Sequence, residues 1–214
     1  DAYAKLTGQP GVAFVTRGPG ATNAAIGIHT SFQDSTPVIL FVGQVGNEFA
    51  EREAFQEIDY RRMFGPMTKW VAQIDDAERV PEFVARAFQV ATSGRPGPVV
   101  LALPEDMQPR EVEVPDALCH QPVQPAPSDI QMAALRRLLG RSKRPVVIVG
   151  GPGWTEAACD NLKRFVEANY LQVACAFRSQ DVFDNRHPNY IGDVGIGINP
   201  KLAQRIREAD LVLA

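Results

Sequence analysis

Short apolar runs that alternate with helical stretches constrain this chain more than any other feature. "GVAFVT", "PVILFVG" and "GPVVLALP" read as strands, the first of them a buried one. "RPVVIVGGPGW", "LQVACA" and "LVLA" read as strands further along. Between them lie segments with helical spacing. "ATNAAIGIHTSFQ" ends at Asp34 and Ser35. "ERVPEFVARAFQVATS" places Val80, Phe83, Val84, Ala87, Phe88 and Ala91 on one face, with Pro81 in its first turn. "TEAACDNLKRFVEAN" has Thr155 as N-cap, and "NPKLAQRIREAD" follows later. Strand and helix in alternation predict an α/β fold built on mostly parallel sheets.

The pattern breaks once. "VPDALCHQPVQPAPSD" carries Pro115, Pro122, Pro125 and Pro127 and reads as an extended linker. After it, Ser128 or Asp129 can cap a helix through Leu139. We therefore expect a first domain over 1–113, a linker over 114–129 and a second domain over 130–214. Both are expected to be incomplete doubly wound units. "DAYAKLTG" reads as the tail of a helix closed by Gly8, and "LVLA" as a strand that stops in mid-sheet. A segment of a longer protein is the expectation.

Composition excludes some classes. A net charge of −3 is the wrong sign for a nucleic-acid footprint, and no apolar run approaches a membrane span. Cys119, Cys159 and Cys175 lack paired metal spacing, so reduced thiols in a cytoplasmic setting are expected. No His, Cys and Asp cluster has metal-ligand spacing.

"TRGPGATNA" is the chemically suggestive stretch. Glycines at a strand-to-helix turn let the backbone approach a ligand, and a helix N-terminus favours anions. Gly18-Pro19-Gly20 lacks the Lys-Ser/Thr of a P-loop and the third glycine of a dinucleotide fingerprint. A phosphate cradle and a plain packing turn both remain open on these residues alone.

The wider order of motifs is more specific. "TRGPGATNA" is followed by "SFQDSTPVILFVGQV", "EAFQEID", "TKW" and "TSGRPGPVVLALPEDM". This order and spacing resemble the pyrimidine-binding domain of thiamine-diphosphate enzymes of the acetolactate synthase family. "RPVVIVGGPG" through "EADLVLA" is similar to the start of that family's Rossmann-like central domain. The resemblance implies a cofactor that decarboxylates a 2-keto acid such as pyruvate and passes on the two-carbon unit, with the protein orienting it. It implies that Pro19, Gly20 and Asn23 line the cofactor across a subunit interface, in a homodimer or homotetramer. It places Gln56 near the reacting carbon and Phe55 in the substrate wall. By the residues alone, Asn23 reads equally as a helix-capping amide, Phe55 as a core aromatic and Gln44 as a backbone-bonding amide. Lys69 reads as a solvated or domain-bridging lysine.

The family's glutamate, which pairs with the pyrimidine ring, lies upstream of the matched region. Glu48, Glu51, Glu53 and Glu57 do not occupy its position. Magnesium and the diphosphate are implied on a C-terminal domain, so the isolated chain is expected to be inactive. Gly150 and Gly151 match a flavin-contacting turn, and Arg95 a contributing arginine; FAD, another nucleotide or an empty crevice are all open there. "FRSQD" and "VGIGIN" depart from the family's pattern in that region. In the first domain Gly46, Glu48 and Glu105 depart too, turning two entrance cations into anions. That weakens the case for true acetolactate synthesis and leaves a related decarboxylase or carboligase open. Arg17 stands where serine is usual. His187, beside Pro188, reads as a surface histidine, and His29 as a core or interface one. The competing expectation is a non-catalytic nucleotide-binding or scaffold protein on the same fold.

Overall fold

The computed structural model describes residues 1–121, 123 and 125–214. Pro122, one of the linker prolines, lies outside the described residues. The chain divides into two compact units, Asp1–Val123 and Gln124–Ala214.

In the first unit, helix α1 (Ala2–Thr7) closes on Gly8 in the left-handed conformation, as a C-terminal glycine allows. Strand β1 (Gly11–Val15) leads into α2 (Gly18–Asp34). Then come β2 (Val38–Gln44), α3 (Tyr60–Phe64), β3 (Trp70–Gln73), α4 (Val80–Thr92) and β4 (Val99–Pro104). The sheet order is β1-β2-β4-β3, with every pairing parallel.

Alternation along β2 and β4 sorts side chains onto two cores. Ile39, Phe41, Val99 and Leu101 pack with Phe83, Val84, Ala87, Phe88 and Ala91 of α4. Val38, Leu40, Val42, Val100 and Ala102 pack with Ala21 and Ile28 of α2 and Tyr60 and Phe64 of α3. Strands covered on both faces read as unbroken apolar runs, which is why β2 and β4 were legible.

Two expectations need correction here, and one strand is added. Within these 214 residues β1 is not buried: it pairs on one side only, with β2, and Val12 and Phe14 are 49% and 70% exposed. Its place at the end of the four-strand order, which the run itself does not reveal, leaves them so. The second is Gly18-Pro19-Gly20. It is not a turn before the helix but the helix's own first turn, with Pro19 where its missing N–H costs nothing. The added strand is β3, which went unread. It has four residues and packs into a sheet already specified by its neighbours.

In the second unit, α5 (Asp129–Arg141) starts from a capping box, Ser128 with Gln131. It is followed by β5 (Pro145–Val149), α6 (Glu156–Ala168), β6 (Gln172–Ala176), β7 (Tyr190–Val194), α7 (Pro200–Arg207) and β8 (Leu211–Leu213). Thr155 caps α6 as expected, its hydroxyl accepting from Ala158 N at 3.2 Å. The order is β7-β6-β5-β8, again all parallel. Val147, Val149, Val173 and Cys175 form the core with Val166 of α6 and with Val182 and Phe183. β7 was also unread. It carries a glycine and an aspartate, and none of its residues is fully buried.

Candidate functional site at the strand ends

The chemically distinctive residues of the first unit gather at the carboxyl ends of β1, β2 and β4, where parallel sheets place their ligands. The N-terminus of α2 is the first piece. Gly18 donates its backbone N–H to the carbonyl of Gln56 at 3.0 Å. A Cβ on Gly18 would lie 2.9 Å from that same oxygen, so only glycine admits the contact. Pro19 has no N–H to offer. The helix's first two positions therefore offer no free N–H, which weakens a phosphate cradle at this end. Pro19 and Asn23, four residues apart, share one helical face and are both exposed. Asn23 sits inside α2, so it is not a helix-start cap. Gly20 packs the helix on its strand: a Cβ there would approach Thr16 and Val15 to 3.0 and 3.1 Å.

The second piece is the segment between β2 and α3. Gln44, buried at the end of β2, donates its amide to Ile58 O at 2.9 Å and accepts from Val45 N at 3.0 Å. Its role is to bond backbone. Glu57 accepts from Glu51 N at 2.6 Å and Ala54 N at 3.0 Å. These bonds hold its carboxyl below the usual glutamate range. Glu51, Glu53 and Gln56 all adopt positive φ, at 63°, 53° and 66°. Non-glycine residues do so only where their surroundings enforce it. The clamp of Glu57 and the bond to Gly18 are that enforcement. The result presents Phe55, 75% exposed, beside a half-buried Gln56. Phe55 is therefore not a core aromatic. Tyr60 closes the base, donating its hydroxyl to Gly43 O at 3.0 Å. Burial pushes its ionisation up to about 12, against a smaller opposing pull from Arg17.

The third piece joins two departures that looked unrelated. Arg17 Nη1 lies 3.5 Å from Glu105 Oε2. Asp106, next in the chain, accepts from Asn47 N at 3.1 Å. Its side chain packs 3.5 Å from the place a Cβ would take on Gly46.

Comparison with known proteins bears on what this arrangement serves. Residues 1–63 match the thiamine pyrophosphate enzyme N-terminal TPP binding domain. Residues 132–214 match the central domain of the same enzymes. The chain belongs to the thiamine pyrophosphate enzyme family. It is 35% identical over 222 residues to the probable acetolactate synthase large subunit of Methanocaldococcus jannaschii. It is 35% identical over 217 residues to the acetolactate synthase large subunit of Lactococcus lactis. It is 34% identical over 220 residues to the isozyme 3 large subunit of Escherichia coli. Each match covers 100% of this chain but only 37–38% of the relative's length.

Within this thiamine pyrophosphate enzyme chain, other predicted residues fall elsewhere. Arg95 binds the end of α2: it donates to Ser35 Oγ at 2.7 Å and to the carbonyls of Phe32 and Gln33. Lys69 is not simply solvated. Its ammonium caps the carbonyls of Val90 and Ser93 at the end of α4, and burial lowers its proton affinity. Gly150 and Gly151 lie in the second unit, after β5. A Cβ on Gly150 would lie 2.9 Å from Ala176 Cβ, so strand packing alone requires that glycine. Gly151, at φ 75°, faces open space.

His29 is exposed on α2, not core. His187 is not a surface histidine. Its ring is 10% exposed, bonded to Glu167 at 3.0 Å and edge-on to Phe183. Among the described residues no His, Cys, Asp and Glu group could hold a metal ion, and no helix is long and apolar enough to cross a membrane. The three cysteines are free.

The reading from sequence missed Tyr60, the clamp of Glu57 and the pairing of Arg17 with Glu105. Only Arg17 and Glu105 left a signal, each as a residue out of pattern.

Proposed function

We propose that the protein containing this chain is a thiamine-diphosphate-dependent 2-keto acid decarboxylase or carboligase of the acetolactate synthase type. The observation that carries this reading is the bond from Gly18 N–H to Gln56 O. It brings two sequence-distant motifs together at the end of a parallel sheet. Bound there, the cofactor would supply the electron sink for decarboxylation. Pro19, Gly20 and Asn23 would hold its pyrimidine side, where a side-chain amide can both donate and accept. Gln56 would face the reacting carbon, and Phe55 would shield it from water. A ring suits this end better than a diphosphate, because the first two positions of α2 offer no free N–H. The diphosphate and magnesium belong, in this proposal, to a domain outside the chain.

The second unit suits a nucleotide such as FAD at the carboxyl end of β5, the strand on either side of which the order runs in opposite directions. Gly151 and Gly153 leave open backbone there, and Asp193 Oδ1 at the end of β7 is buried without a partner. Arg95 as a contributor to the flavin site belongs to the same proposal. The domain limits 1–113, 114–129 and 130–214, a homodimer or homotetramer, a cytoplasmic location and pyruvate as substrate belong to the same proposal. So does the inactivity of the isolated chain.

The test is CO2 release from a panel of 2-keto acids by the full-length protein supplied with thiamine diphosphate and magnesium. Release that falls sharply in Asn23→Ala and Gln56→Ala is expected. No release from any 2-keto acid would overturn the proposal and favour a scaffold role. A flavin spectrum in the purified protein would support FAD.

A further inference from the structure

Arg17 crosses three strand ends. Its backbone precedes α2 at the end of β1. Its stem lies beside Gly43 of β2, with Cγ 3.6 Å from where a Cβ would sit. Its guanidinium reaches Glu105 at the end of β4, 3.5 Å away. The arginine side chain is 28% exposed and the glutamate 71%, so the cation is the enclosed partner and the anion the solvated one. Asp106 is tied to Asn47 N, and Glu57 to Glu51 N and Ala54 N. A contact of 3.5 Å engages one edge of a fork that carries five donors and suits a carboxylate on a second edge. An exposed ion pair is weak, so an incoming anion displaces Glu105 at little cost.

Resting on the reading of this crevice as a 2-keto acid site, we propose that Arg17 receives the substrate's carboxylate and that Glu105 is an internal anion competing for it. Substrate entry exchanges one carboxylate for another on the same guanidinium. Glu105 then stands free beside the bound acid and repels a second negative charge. The site therefore selects monocarboxylic 2-keto acids over dicarboxylic ones.

Oxamate, an unreactive isostere of pyruvate, reads the carboxylate site without turnover. Calorimetric titration of the full-length protein is expected to show Arg17→Gln weakening oxamate binding by about tenfold or more. Arg17→Lys should recover part of that loss, and Glu105→Gln should tighten binding several-fold. Failure of the parent protein to bind oxamate, or equal binding by Arg17→Gln, overturns the proposal. Should Arg17→Gln not fold by circular dichroism, Glu105→Gln decides: tighter binding supports the proposal, and unchanged or weaker binding overturns it. Arg17-dependent oxamate binding without CO2 release from any 2-keto acid would sink the enzymatic reading alone and leave the carboxylate site standing.

Discussion

The two sheets are built alike and finished differently. Each has four parallel strands, yet the first sends a long segment from Gln44 to Tyr60 over its carboxyl end. That segment holds three non-glycine residues at positive φ. The second closes its first strand with a glycine turn in which Trp154 Nε1 donates to Gly150 O at 3.0 Å. Strained, clamped and polar in one case, short and glycine-relaxed in the other, the two ends differ in what they can position. Residues are held in sparsely populated conformations where side chains must be presented at a set place. A glycine turn leaves backbone open for a ligand to approach.

The sharpest way to break this contrast is Gly18→Ala. The added methyl meets Gln56 O and Ile58, so the segment carrying Phe55 and Gln56 must move. We expect a loss of about a hundredfold in kcat/KM with thiamine diphosphate present, since small misplacements of this kind cost that much. The melting temperature should fall as well, because the atom the methyl meets is backbone. A variant that retains full turnover would show that the Gly18 contact positions nothing.

Lys69→Met probes the scaffold instead. Losing the ammonium leaves the carbonyls of Val90 and Ser93 without it. A cost of about 1.5–3 kcal/mol is expected, read by urea denaturation, with KM for the keto acid unchanged. Glu57→Gln should have a smaller, local effect: faster amide exchange at Glu51 and Ala54, the two N–H groups its carboxylate now holds.

Acid distinguishes the two units most gently. Glu57 has a folded proton affinity below its usual 4.5. Its stabilisation is present above that value and is lost as pH falls through the lower folded one. In the second unit, Asp210 is held at about 2 by bonds from Ser142 Oγ and from Lys143 and Arg144 N. Its contribution should persist down to about pH 4 and vanish toward pH 2. Amide shifts followed on acidification should show Glu51 and Ala54 changing before Lys143 and Arg144. The reverse order would contradict the assignment.

Much of the fold was legible because it rests on local rules. β2 and β4 are apolar throughout because both of their faces are covered. Thr155, Ser128 and Pro81 announce helix starts through groups that serve the first turn. β3 and β7 escaped for the opposite reason. Both are short, and their place comes from neighbours already in register. At the site, Pro19 and Asn23 were legible as a motif on one helix. Their relation to Gln56 was not, because a backbone bond leaves no mark in residue identity.

From its residues alone this chain settles on parallel α/β units, most of their helices and the family whose motif order it repeats. Side-chain volume, helix caps and glycine all act within a few residues. Tertiary structure decided that β1 pairs with β2, that Lys69 and Arg95 serve helix ends, and that Arg17 meets Glu105. Those outcomes depend on which strand ends stand side by side, and the sheet order β1-β2-β4-β3 sets that. Charge acts across space, so two residues that seemed out of pattern separately become one ion pair once the sheet is formed.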